Sequence, residues 1–238
     1  MEKALRRNPL KMAIHKASKR LYAITGTIPR KHLTPHRVDG RQVVVIHNPK
    51  AAGSSLKIML SADTSIGTTH TGPSQAYSRR MWHSTFSVVA VRHPFDRFVS
   101  RYVFMILKQR GGVLKREWGD RIQGMDLFTF LEFIGQYPGK LGPQKIWTHF
   151  PSVSKPVADL ILKVEESDNW EAQIRAAGIN PHPVEERKNV TRAADQSFGQ
   201  VLSLTDAELA HLEEEVFAVY QADYEAYGYD RLPSGWRA

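Results

Sequence analysis

Lys50 is followed by Ala51, Ala52, Gly53, Ser54 and Ser55, a run that sets one cation and two hydroxyls around residues with almost no side chain. Small residues let the backbone come close to a ligand. Where such a run opens a helix, its unpaired N–H groups point at whatever fills the space. The chemistry this suits is the grip of a phosphate or sulfate by the Lys50 charge, the serine hydroxyls and the N–H donors together. A plain tight strand-to-helix turn fits the same run. The Walker pattern does not, because it places lysine after the glycines and here Lys50 precedes the single Gly53.

A second group lies in VRHPFDRFVSRY. The planar fork of Arg92 can hold a phosphate bidentately. Ser100 falls four residues after Asp96, on the helical spacing that would turn it toward the same anion. The competing role for Arg92 is an ion pair with a carboxylate such as Asp96, and for Ser100 it is solvation. Taken together, the two groups fit one ligand with two separated phosphates.

The elements that must position them follow from apolar patterning. Residues 42–46 (QVVVI) and 86–91 (FSVVAV) are continuous β-branched runs, which predict parallel strands covered on both faces. Each run leads into one of the two groups, at the carboxyl end where open α/β sheets bind ligands. Pro94 suits a first helical turn, and Phe95, Phe98, Val99, Tyr102, Val103 and Ile106 then recur as one apolar stripe ending before Gly111 and Gly112. Asp126 predicts a capped helix over 127–134, and 159–164 (DLILKV) a third buried strand ending at Glu165. Thr205 and Glu208 form a capping-box pattern ahead of an amphipathic helix to about Asp223. Segments 111–124 and 135–156 read as functional loops. The expectation is an α/β, P-loop-like single domain with a central, mostly parallel sheet flanked by helices.

Composition sets the outer bounds. The 238 residues are 42% hydrophobic and 24% charged, enough for one domain with its own core. No cysteine is present, so disulfides, thiolate nucleophiles and Cys-based metal sites drop out, and a reducing compartment fits. No apolar run reaches membrane-spanning length and the opening stretch is charged throughout, so neither a signal peptide nor a transmembrane segment is expected, and the expected location is cytoplasmic. The net charge of +9 attracts anions. Much of it sits in residues 1–40, read as a basic N-terminal arm, helical or partly disordered, ahead of a main domain over 41–238. That arm is either a solvated leader or a contact for an acidic acceptor or a membrane surface. No zinc-finger, RRM or basic aromatic signature points to nucleic acid.

At this point HNPKAAGSSL resembles the 5′-phosphosulfate loop, and VAVRHPFDRFVSRYVF the 3′-phosphate element, of the carbohydrate sulfotransferases that use 3′-phosphoadenosine 5′-phosphosulfate (PAPS). PQ at Pro143 and Gln144, LKVE ending at Glu165, NVT from Asn189 and the closing Y..DYEAYGY also look like this family, so the likeness spans residues 42–229. Two departures stand out. The family loop reads PKTGGTS where this chain has Ala51 and Ala52, and His93 stands where an acidic or amide residue is usual. Golgi members carry a membrane anchor and disulfides, so this chain looks like a bacterial-type cytosolic relative.

The resemblance implies a PAPS-dependent sulfotransferase acting on a hydroxyl-bearing acceptor, a carbohydrate or glycolipid, with no metal. Lys50 and the N–H groups of Ala51, Ala52, Gly53, Ser54 and Ser55 would hold the 5′-phosphosulfate, with Lys50 stabilising the leaving group. Arg92 and Ser100 would hold the 3′-phosphate. His70, in the loop before the second strand, is the expected general base, with His83, His149 and Glu165 as alternatives. His47 abuts the cradle as a positioning residue. Trp118 and Trp147 could stack on sugars or simply pack. Two rival classes remain: a P-loop phosphotransferase, which would need magnesium and an acid to hold it, and a non-catalytic nucleotide or acidic-glycan binding module.

Overall fold

The apolar residues at 43–45 and 88–91 offer water no polar face, and the chain buries them between two layers. The computed structural model describes residues 36–60, 84–108, 118–137, 142–149, 155–182, 203–233 and 236. Their strands β1 (His36–Val38), β2 (Arg41–Ile46), β3 (Phe86–Val91) and β4 (Leu160–Lys163) form one sheet in that order. β2 and β3 pair in parallel from Val43 with Phe86 to Ile46 with Val89, and β3 and β4 in parallel from Val88 with Leu160 to Val91 with Lys163.

The period-2 alternation of strands sorts the core. Val43, Val45, Val88, Ala90 and Leu162 face Leu56, Leu60, Trp170 and Ile174. Those partners belong to α1 (Gly53–Met59) with its C-cap Leu60, and to α5 (Trp170–Ala176). Val44, Ile46 and Val89 face the other way, onto Trp147 of α4 (Lys145–Thr148). Trp147 is thus a buried packing residue rather than an exposed platform.

The helical layer forms a second core. α2 (Pro94–Tyr102) continues into a π-helical turn (Val103–Leu107), and every residue of its predicted apolar stripe is buried. The stripe packs against α3 (Leu127–Gln136) and α6 (Asp206–Tyr227). Asp126 caps α3 through the N–H of Thr129, and Thr205 and Glu208 close a reciprocal capping box on α6. α6 runs four residues past the expected Asp223, with a non-helical residue at Tyr220, and ends at Gly228 in the left-handed region that glycine tolerates.

The sheet is mostly parallel as expected, and two points differ from the sequence expectation, an added antiparallel strand and a half-buried edge strand. The sheet is mixed, because β1 pairs antiparallel with β2 through a two-residue turn at Asp39 and Gly40, both at positive φ. Asp-Gly is the residue pair such a hairpin turn favours, so the sheet begins at His36, inside the segment that charge assigned to the arm. Residues 1–35 lie outside the described residues. β4 is only half-buried, Leu162 alone being fully enclosed, because it forms the sheet's edge among the described residues. The loop after β2 has no glycine ahead of its lysine, so the sheet carries a phosphate-loop position without a true P-loop. Among the described residues, no helix is long and apolar enough to cross a membrane.

Candidate functional site

Both sequence groups emerge at the carboxyl ends of neighbouring parallel strands, the first after β2 and the second after β3. A buried polar network ties them together. Asn48 donates to the carbonyl of Ala90 at 3.0 Å and to Oε1 of Gln144 at 2.9 Å. Gln144 brackets the backbone of Arg92, accepting from its N–H at 2.9 Å and donating to its carbonyl at 2.6 Å. Arg97 donates from Nε to the carbonyl of Pro49, from Nη1 to that of Gly142 and from Nη2 to Oδ1 of Asn48, each at 3.1–3.2 Å.

The countercharge is Asp223 of α6, 3.9 Å from Arg97, whose two oxygens also accept from the N–H groups of Gln144 and Lys145 at 2.7 and 2.9 Å. Burial draws Arg97 down to about 9, which leaves it a cation at neutral pH. Burial pushes Asp223 above the usual carboxylate range, opposed by Arg97 and the two N–H donors. Arg101, one helical turn beyond Arg97, is buried beside it and hydrogen-bonded to Tyr220.

The cradle itself is bent. Lys50 and Ala52 sit in the left-handed region at φ 65° and 51°. Such residues cost roughly 1–2 kcal/mol each and recur in backbone concavities that bind anions. Ala52 is the N-cap of α1 and has no side chain to satisfy the first N–H groups. Ser54 is exposed, Ala52 and Ser55 are half-buried, and Ala51 and Gly53 are enclosed. Gly53 is required for room, since a Cβ there would lie 2.4 Å from the ring of His47. His47 therefore abuts the cradle as the sequence suggested.

The Lys50 ammonium stands 4.2 Å from the ring centre of Phe104, on the π-helical turn. No carboxylate pairs with it among the described residues. Burial, and then the charges of Arg92, Arg101 and Lys108, lower it to about 8. Those shifts place Lys50 and Arg92 within mutual electrostatic reach. Arg92 also lies 3.8 Å from Asp96, the ion pair weighed against a ligand role. Ser100 shares the helix but is fully buried, its surface 0% exposed.

Other candidates are resolved unevenly. His70 and His83 lie outside the described residues, as does the NVT segment. Glu165 is occupied, accepting from the N–H of His93 at 2.8 Å and from the Tyr229 hydroxyl at 3.0 Å. His149 is buried, with Nδ1 2.7 Å from the Thr148 hydroxyl, which also meets Tyr227. The Thr148 carbonyl accepts from the N–H of Val157, whose own carbonyl accepts from the Ser87 hydroxyl near the amino end of β3. Trp118 packs edge-on to Phe133.

His93, without an assignable role in the sequence, has one here. Its Nδ1 accepts from the N–H of Phe95 and caps α2, while Nε2 lies 2.8 Å from the carbonyl of Asp230. This arrangement requires the neutral ring protonated on Nε2, in keeping with the downward shift that burial imposes. The pattern HP before a helix, with histidine at the cap, was the available signal. Among the described residues no group of His, Asp or Glu is arranged to hold a metal ion.

A family model described as the sulfotransferase family matches residues 39–230. No curated protein and no solved structure matches.

Asp223→Ala is expected to cost about 3–5 kcal/mol, because it leaves the buried Arg97 without countercharge; denaturant unfolding measures it, and a loss under 1 kcal/mol would contradict the network's role. Gly53→Ala is expected to cost about 1–3 kcal/mol through the displaced His47 ring, read as a lowered unfolding midpoint.

Proposed function

The chain belongs to the sulfotransferase family, and on that premise we propose that it transfers the sulfuryl group of PAPS to a hydroxyl of a carbohydrate or glycolipid acceptor. The observation that carries this reading is Lys50, a largely buried cation with no carboxylate beside it among the described residues and with Arg92, Arg101 and Lys108 adding their charge. A buried charge is costly unless paired. An arrangement that gathers cations around a bent backbone loop is suited to an anionic ligand.

In this reading Lys50 and the N–H groups of residues 51–55 hold the 5′-phosphosulfate, and Arg92 holds the 3′-phosphate. Ser100, buried as it is, reaches that phosphate only if its cover opens, so Arg92 is the stronger member of the pair. Sulfuryl transfer needs the attacking and leaving oxygens aligned, with positive charge fixed where negative charge grows. Lys50 supplies that charge at the leaving phosphate. The acceptor hydroxyl, far too weak an acid to ionise at neutral pH, gives its proton to a nearby base as the S–O bond forms. We assign that base to His70. The basic arm over 1–40 would meet an acidic acceptor or a lipid surface, and cytoplasmic placement completes the proposal.

Lys50→Ala and Arg92→Ala should each lower the affinity for adenosine 3′,5′-bisphosphate at least tenfold by calorimetry, whereas His70→Ala should bind it normally and lose sulfate transfer from labelled PAPS. Unchanged binding in both cradle variants would remove the site assignment.

The lowered Lys50 value gives a pH dependence with a definite sign. Lys50 is charged below about 8 and neutral above it, and a bound anion favours the charged form. Bisphosphate affinity should therefore fall as pH rises through 8, with net proton uptake on binding near that pH, visible by calorimetry in two buffers of different ionisation enthalpy. Stability follows the opposite course. Between about 8 and the unfolded value of 10.5 the folded chain holds fewer protons at Lys50 than the unfolded one, so this residue's contribution to unfolding free energy rises with pH across that window.

A further inference from the structure

The Lys50 ammonium stands over an aromatic face, 4.2 Å from the ring centre of Phe104. Every charge that shifts it is positive, namely Arg92, Arg101 and Lys108. Left to that repulsion alone, the four-carbon stem would spread over many rotamers.

The place of the ring is a property of α2 and its continuation. Arg97, Arg101 and Phe104 follow one another at spacings of four and three, which keeps them on one face of a helix. That face meets consecutive residues of the loop after β2. Arg97 donates to the carbonyl of Pro49 at 3.1 Å, and Phe104 meets Lys50. Phe104 lies in the π-helical turn, where the N–H of Lys108 donates to the carbonyl of Val103, five residues back, at 2.9 Å. Turns of this kind occur mostly inside α-helices and often at functional sites. Val103, Met105 and Ile106 of the turn are buried, and half-buried Phe104 packs against the same core while its ring reaches Lys50.

We propose that Phe104 is a positioning residue for the anion cradle: its ring holds the Lys50 ammonium beside residues 51–55 before a ligand arrives. This rests on the reading of Lys50 as the 5′-phosphosulfate grip. A ring attracts a cation through its negative face and brings no countercharge, so a bound anion need not break an ion pair to reach Lys50. The side-chain freedom that binding would otherwise remove is already lost in folding. The attraction exists only for the charged ammonium, so the ring also opposes the downward pull of burial and of the three neighbouring cations on the Lys50 proton affinity.

Phe104→Leu keeps an apolar side chain in the core and removes the ring face, whereas Phe104→Tyr keeps the face. Binding of adenosine 3′,5′-bisphosphate is measured by calorimetry across a pH range that brackets the Lys50 value of about 8. In the acid half of that range Phe104→Leu should weaken binding about fivefold, the scale of one long side chain left to be ordered on binding. Its alkaline decline should set in about half a pH unit lower, because the charged form has lost its partner. Phe104→Tyr should match the parent chain in both respects. In a Lys50→Ala background, Phe104→Leu should weaken binding no further, since the ring then has nothing to hold. If Phe104→Leu leaves affinity and pH dependence unchanged, weakens binding as much without Lys50 as with it, or is matched in its loss by Phe104→Tyr, the ring is packing alone and the proposal is wrong. Should Lys50→Ala itself bind the bisphosphate as the parent chain does, the reading of Lys50 as the grip fails, and the role of Phe104 with it.

Discussion

One buried guanidinium holds together the segments that leave the carboxyl ends of β2 and β3. Arg97 joins the loop after β2 at Pro49 and Asn48, the segment ahead of α4 at Gly142, and α6 at Asp223, all from its own place on α2. Only a planar fork with several fixed donors can serve that many directions at once, which a single ammonium on a flexible stem cannot do. The desolvation penalty of enclosing such a group is large, and its hydrogen bonds and countercharge must offset it. In return four stretches of chain, distant in sequence, acquire a common reference point. Gln144 extends that reference to Arg92 by gripping its backbone on both sides.

The geometry of Lys50 follows from this anchoring. With Pro49 tied down, the next residues turn through the left-handed region at Lys50 and Ala52. Strain of this kind persists only where surrounding contacts over-determine the backbone. The ammonium then rests on Phe104, whose ring attracts a cation without neutralising it. A carboxylate at that place would hold Lys50 more firmly and cancel its charge. The aromatic face does not cancel the charge, and burial together with Arg92, Arg101 and Lys108 lowers the affinity of Lys50 for its proton.

What could be read in the sequence was whatever repeats locally. The valine runs of β2 and β3, the stripe of α2, the Asp126 cap and the Thr205–Glu208 box all state their role within a few residues. The small-residue run after β2 was equally plain. The network was not, because its hydrogen-bonded partners lie 42 to 96 residues apart and each resembles something ordinary. Arg97 looks like one more charge on a helix that already carries Arg101, and Asp223 like a polar residue near a helix end. Gln144, Asp223 and Tyr220 were visible only as scattered likenesses to a family, with no physics attached. The Asp39-Gly40 turn was a legible signal that the heavy positive charge around it obscured. His70 depends on a segment outside the described residues, so its role rests on the resemblance alone.

The cradle also separates two reasons for which a chain keeps glycine. Position 52 needs a left-handed backbone and has no crowding that excludes a methyl group; Ala52 meets that need at a modest cost in strain. Position 53 needs no positive φ and has no room, because the His47 ring lies where a Cβ would go. The first constraint costs only backbone strain, whereas a methyl group at position 53 would have to displace the His47 ring. A loop that resembles PKTGGTS can therefore lose its first glycine and keep its shape, provided it retains the second. The Ala52 departure from the family pattern thus touches backbone freedom alone, and the loop keeps its close packing as long as His47 and Gly53 hold their places.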